Sequence, residues 1–326
     1  MAKETNQKVM IGNPAPVQFA TTSTGKQHFE VLDGLRGSAA FLIVLFHIMI
    51  LGMAFAFDPP TNFLPHAILA VDLFFVLSGF VVAHAYDDRW DSMSIREFLV
   101  IRLIRLHPLV ILGVLLGLVS YLFDPFAGGA QNATWSALLT ALALGLVLLP
   151  NSPLPNRGAD THSLNSPAWT LLQEYIAYIA YALILRRLRA RTLAVVASTA
   201  GLLLIGSAIY LDTLDGGASW DTMWMAPIRL TFSFVTGLWL YRVRNRLPQP
   251  KIGFLLLTAI LVIAFTMPIF PKINGVSVNG LYEAAIVVVL FPFIIIAGAH
   301  SEAGTGLLGT CRMAGRISYP LYITQV

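Results

Sequence analysis

Residues 31–50 read VLDGLRGSAAFLIVLFHIMI, a charged start and then an apolar run broken only by His47. Arg36 and His47 stand eleven positions apart. At ~100° per residue they fall within ~20° of each other on one helix face, about 16 Å apart along the axis. Asp33 lies ~40° off the same stripe. In a bilayer with a ~30 Å hydrocarbon core, such a helix puts Arg36 at one surface and His47 near the middle, aimed the same way. An imidazole at that depth is costly unless it faces protein or water, so it is a functional candidate by default. The plainer readings are an interhelical hydrogen bond for His47 and a topological anchor for Arg36. The shared face favours function.

The rest of the chain agrees with a membrane setting. Of 326 residues, 56% are hydrophobic and 12% charged, against ~25% charged in a soluble domain. The apolar runs are long rather than alternating, which argues for helices and against barrel strands. The expected fold is all-α, a polytopic transmembrane bundle of about ten membrane segments. They fall near 38–57, 66–86, 99–123, 133–150, 168–185, 192–211, 224–241, 252–270, 279–298 and from 316 onward. The net charge of +4 reflects Lys and Arg in connecting segments, a sign of membrane orientation and not of nucleic-acid binding. The single cysteine, Cys311, excludes an intrachain disulfide framework and a cysteine metal cluster. With no HExxH and seven scattered histidines, no metal is expected. Residues 1–28 lack the apolar core of a signal peptide and read as a flexible polar leader. One domain, 29–326, follows it.

Basic residues in short loops set the orientation. Lys26 and Arg36 place the N-terminus in the cytoplasm, and two crossings later Arg89, Arg96, Arg102 and Arg105 are cytoplasmic again. Three apolar segments then precede Arg186, Arg187, Arg189 and Arg191, an odd number that puts this cluster outside. Four arginines within six residues are costly to translocate, so one segment is expected to be re-entrant. The short 133–150 run, ending in Pro150, is the candidate. The loop 151–167 then faces outward, and Trp169 and Glu174 begin an inward crossing with Glu174 in the outer half.

Further polar residues interrupt the apolar segments. In AVDLFFVLSGFVVAHAY (70–86), Asp72 is expensive unless paired or wet, and Ser78-Gly79 marks a close helix contact or a thinned wall. In REFLVIRLIRLHPLV (96–110), Arg102 and Arg105 are three apart on one face, suited to bidentate phosphate binding or to plain anchoring. Pro108 is expected to loosen the first turn there. In SPAWTLLQEYIAYIAY (166–181), Glu174 is followed by Tyr178 and Tyr181 on its own face, a polar seam or an ion pair to another helix.

LDGLRGSAAFLIVLFH, DLFFVLSGF, RLIRLHP, AWTLLQE and RISYPLYIT follow one another in an order that resembles the membrane acyltransferase-3 family, across about residues 29–326. The resemblance implies an integral membrane O-acyltransferase that moves an acyl group, usually acetyl, from cytoplasmic acyl-CoA to a hydroxyl. It maps the family's arginine–histidine pair onto Arg36 and His47 as catalytic residues. Arg102 and Arg105 fall on its paired arginines, at the acetyl-CoA site. Asp33, Asp72, Ser78, Trp169 and Glu174 are then supporting polar residues. His47 would act as general base or transient acyl carrier. Expected partners are membrane lipids and a glycan, lipid-linked sugar or other glycosylated acceptor. The expected location is the bacterial inner membrane, and nothing in the sequence sets an oligomeric state. Gln325 stands where relatives often carry a histidine, and the final segment is about eleven residues long. The rival reading is a proton-coupled transporter relaying through Asp72, Glu174 and His47. It lacks the internal repeats and paired broken helices usual in transporters.

Overall fold

The computed structural model of the chain describes residues 27–55, 62–124 and 132–325. The expected leader lies outside the described residues except for its last two positions. Among the described residues every regular element is helical. In chain order these are α1 (Glu30–Phe55), α2 (Ala70–Tyr86, entered through a 3-10 turn at Ala67–Leu69), α3 (Ile95–Leu122) and α4 (Trp135–Leu146). Then come α5 (Ala168–Leu183), α6 (Ala190–Leu211), α7 (Met225–Val243) and α8 (Phe254–Thr266). α9 (Val278–Ala285) passes through a π turn at Ile286–Leu290 into α10 (Phe291–Ala299), and α11 is Leu308–Ile323. Among the described residues five stretches are long and apolar enough to cross a membrane: Glu30–Ile50, Ala67–Tyr86, Ile95–Leu122, Ala190–Leu211 and Val278–Ala299.

Local chemistry explains several boundaries. Ser94 starts α3 with a reciprocal cap: its hydroxyl accepts from Glu97 N at 3.2 Å, and the Glu97 carboxylate accepts from Ser94 N at 2.7 Å. Because α3 begins at Ile95, Pro108 sits mid-helix and not in the first turn, and the helix runs on past it. α11 begins at Leu308, well before the expected 316, because LGTCRMAG is too polar to register as a membrane run yet winds as helix. Its 16 residues span about 24 Å, where the sequence suggested a short stub.

Small residues set the tightest contacts. Gly79 of α2 lies against the backbone of Phe234, and Gly237 of α7 against that of Val76, so the two helices touch through glycine from both sides. Any side chain at either position would collide with a carbonyl. Gly34 of α1 meets the Cys311 sulfur of α11 and the Phe254 ring, and Gly37 meets Ala314 of α11.

Contacts also fix relative directions. α1 and α11 run parallel, from Gly34 against Cys311 to Arg36 on Ser318. α2 runs parallel to α7, with Asp72 on Arg229 and Asp87 on Arg242, and parallel to α5, with Ser78 on Glu174 and Asp87 on Tyr181. α3 is antiparallel to α5: Arg102 lies over Tyr178, and Gly113 lies against Asn165. The chain therefore enters α5 at the end of the bundle where it leaves α3. We call the face where α1 starts the near face and its opposite the far face.

Candidate active site

Two adjoining cavities open between α1, α2, α3, α5 and α11. The outer one, about 540 Å³, lies at the near face and is rimmed by His28, Asp33, Arg36, Arg105, Arg312 and Arg316. The inner one, a chamber of about 110 Å³, shares Arg36, Arg105 and Tyr319 with it. Its walls are apolar, from Val71, Phe74 and Phe75 to Leu106 and Leu171, around a few polar groups.

Those groups are held in place. Arg36 donates to Gly315 O at 2.7 Å and to Ser318 Oγ at 2.9 Å, and pairs with Asp33 at 3.2 Å. Asp33 also takes His28 at 2.9 Å. Ser78 donates to a Glu174 carboxylate oxygen at 2.8 Å, and the Tyr178 hydroxyl donates to the same oxygen. Arg102, 3% exposed, is clasped between the rings of Tyr86 and Tyr178, 4.8 and 4.9 Å from their centroids. Its buried Nε has no hydrogen-bond partner. At the far end of the chamber Tyr322 and Thr170 share a hydrogen bond of 3.1 Å.

His47 lines neither cavity. It stands on the Arg36 stripe, farther along α1. Its ring Nδ1 lies 2.7 Å from Ile43 O. A carbonyl can only accept, so Nδ1 carries the proton and Nε2 of the neutral ring holds the lone pair. The Gln325 carboxamide, two residues past the end of α11, lies beside the ring without a well-formed hydrogen bond of its own. Past His47, loops 151–167 and 212–224 are clasped by an Asp160–Ser219 bridge and by Trp220 Nε1 donating to Asn151 O. Burial in that clasp pushes the Asp160 carboxyl above its usual range, and the His47 imidazole, when protonated, opposes the shift.

The remaining residues fall as follows. The arginine pair splits: Arg102 is buried in the chamber, whereas Arg105 is exposed between chamber and mouth. Three positions turn a helix by ~300°, enough to divide wall from rim. Ser78 faces the chamber and Gly79 the α2–α7 seam, so the polar and the packing readings are both met, by neighbouring residues. Glu174 lies in the half of α5 nearer the far face and shares one chamber with Arg102 and Arg105. Its partners are hydroxyls, and among the described residues it makes no ion pair. Tyr181, about 10 Å below Glu174 along the helix, instead donates to Asp87 at 2.8 Å. Asp72 and Trp169 are outside the chamber: Asp72 pairs with Arg229 at 2.6 Å, and that guanidinium lies 5.6 Å from the Trp169 ring centroid. Arg229 and Arg312 escaped the sequence reading, and Arg316 and Tyr322 entered it only as part of the RISYPLYIT motif. Of these only Arg229, a lone cation inside an apolar run, carries a local signal.

An acyltransferase domain model, Acyl_transf_3, matches residues 29–326. The chain belongs to the acyltransferase-3 family. Protein 2 in the picA locus of Rhizobium radiobacter is 36% identical over 166 residues, covering 48% of this chain and 82% of that protein. No solved structure matches the chain. Membership in acyltransferase-3 makes this a membrane acyltransferase.

Proposed function

We propose that this acyltransferase carries an acetyl group from acyl-CoA to a hydroxyl of a cell-surface glycan, lipid-linked sugar or glycosylated small molecule, in the bacterial inner membrane. The observation behind this is the cavity pair: a basic mouth narrows through Arg36, Arg105 and Tyr319 into a chamber on the stripe that leads to His47. The donor's phosphates match the mouth, and Arg102 and Arg105 offer guanidinium groups along its path. The inner chamber holds only about 110 Å³. A cavity of ~150 Å³ holds benzene, so the size favours acetyl over a long chain.

For transfer, the acceptor oxygen attacks the thioester carbonyl while His47 Nε2 takes the hydroxyl proton. The C–S bond breaks, and the coenzyme A thiolate recovers that proton. The same lone pair serves if the imidazole first carries the acyl group itself. Arg36, fixed by Asp33, Ser318 and Gly315 O, steadies the donor or the developing charge. Purified protein should release coenzyme A from acetyl-CoA faster when a sugar acceptor is added. No release with any acceptor, alongside substrate movement across vesicles, would overturn the reading.

The direction of crossing belongs to the same proposal. The parallel pairs α1–α11, α2–α5 and α2–α7 all require an odd number of reversals fewer than ten full crossings provide. The 12 residues of α4 reach about 18 Å, short of a ~30 Å core. This supports α4 as the tucked element, with the near face cytoplasmic. In a Cys311→Ser background, an impermeant thiol reagent on intact cells should label Ser152→Cys and spare Ala190→Cys. The reverse pattern would restore ten simple crossings.

A further inference from the structure

Among the described residues the charges at the mouth do not balance. Four guanidinium groups, Arg36, Arg105, Arg312 and Arg316, edge the 540 Å³ cavity together with His28. Asp33 is the only carboxylate in its lining, and it is already engaged by Arg36 and His28. Arg312 reaches Glu30 at 3.1 Å in a pair half open to solvent. Arg105 and Arg316 are exposed and have no ion-pair partner among the described residues. Like charges converging on a concave surface raise the potential inside it and concentrate anions there. A lone topological anchor requires no such convergence, and two of these arginines come from α11, which shares no loop with α3.

Building on the acyl-CoA reading above, we propose that Arg316 and Arg312 of α11 join Arg105 of α3 in a phosphate-binding rim for the nucleotide end of the donor. A donor carrying a diphosphate and a 3′-phosphomonoester brings more negative charge than one arginine pair can meet. The rim supplies guanidinium forks from two helices, and α11 also places Ser318 and Tyr319 on the chamber beyond. Phosphate recognition and entry to the chamber are thereby built on one helix.

The probe is adenosine 3′,5′-bisphosphate, which has the phosphates but no thioester. Its binding is measured by calorimetry on the full chain in phosphatidylcholine nanodiscs. Arg316→Gln should weaken it about tenfold, the loss expected for one charge-assisted contact. Arg316→Lys, which keeps charge without the planar fork, should fall between. Arg246→Gln, an exposed arginine on the same face away from the cavity, should bind like wild type. Unaltered affinity in Arg316→Gln, or equal losses in Arg246→Gln, would overturn the rim. So would a loss that appears only when phosphatidylglycerol is present, since the guanidinium would then be holding a lipid headgroup. If wild type neither binds the bisphosphate nor turns over acetyl-CoA, the donor reading itself fails. Wild-type turnover with a normal Arg316→Gln removes the rim alone.

Discussion

His47→Ala is expected to lower acyl transfer by at least ~10²–10⁴-fold, the usual contribution of a positioned acid–base group, while expression and thermal stability stay near wild type. The structure makes these two outcomes separable. Among the described residues the one well-formed hydrogen bond of His47 goes to Ile43 O within its own helix, and the ring lines neither cavity. Alanine has the higher helix propensity and leaves no buried charge behind. Loss of activity in a well-folded variant would therefore report on the imidazole. His47→Gln is a second probe, because it retains polarity but not a titratable lone pair. If coenzyme A release from either variant matches wild type in membranes with equal protein, His47 leaves the mechanism, and the chamber polar groups around Glu174 become the place to look.

Arg229→Ala should have the largest effect on stability, roughly 3–5 kcal/mol, because it strands a buried carboxylate. Asp72 is fully buried and Arg229 1% exposed. The guanidinium donates to both Asp72 oxygens and to Gly216 O at 2.6 Å, and it packs on Trp169. Removing it leaves Asp72 ionised in a low-dielectric site, or forces it to take a proton. The double variant Asp72→Leu/Arg229→Met should recover much of the loss, since a buried pair is often replaceable by apolar residues of similar volume. Thermal unfolding of purified protein checks both. Equal melting for Arg229→Ala and wild type would show that water reaches Asp72.

The sequence made the helices readable because long apolar runs dominate it, and it exposed single costly residues such as Asp72 and Glu174 within them. It could not reveal what those residues meet. Asp72 and Arg229 lie 157 positions apart, and nothing local in either helix encodes that pairing. The Arg36–His47 stripe was legible from spacing alone, since both sit on one helix. The division of Arg102 from Arg105 was not, because it depends on where Tyr86 and Tyr178 stand. α11 was underestimated for a different reason. A helix bearing Arg312, Arg316 and several small residues is recognisable in a membrane only when its partner is known.

That partner is α1, and the pairing has a bearing on synthesis. Gly34 and Gly37 wait for Cys311 and Ala314, and Arg36 waits for Ser318 and Gly315 O. Nearly every intervening helix must be made before α11 leaves the ribosome. Until then the glycines and the guanidinium of α1 are without their α11 partners. The basic mouth, two of whose arginines stand on α11, is therefore among the last features to assemble.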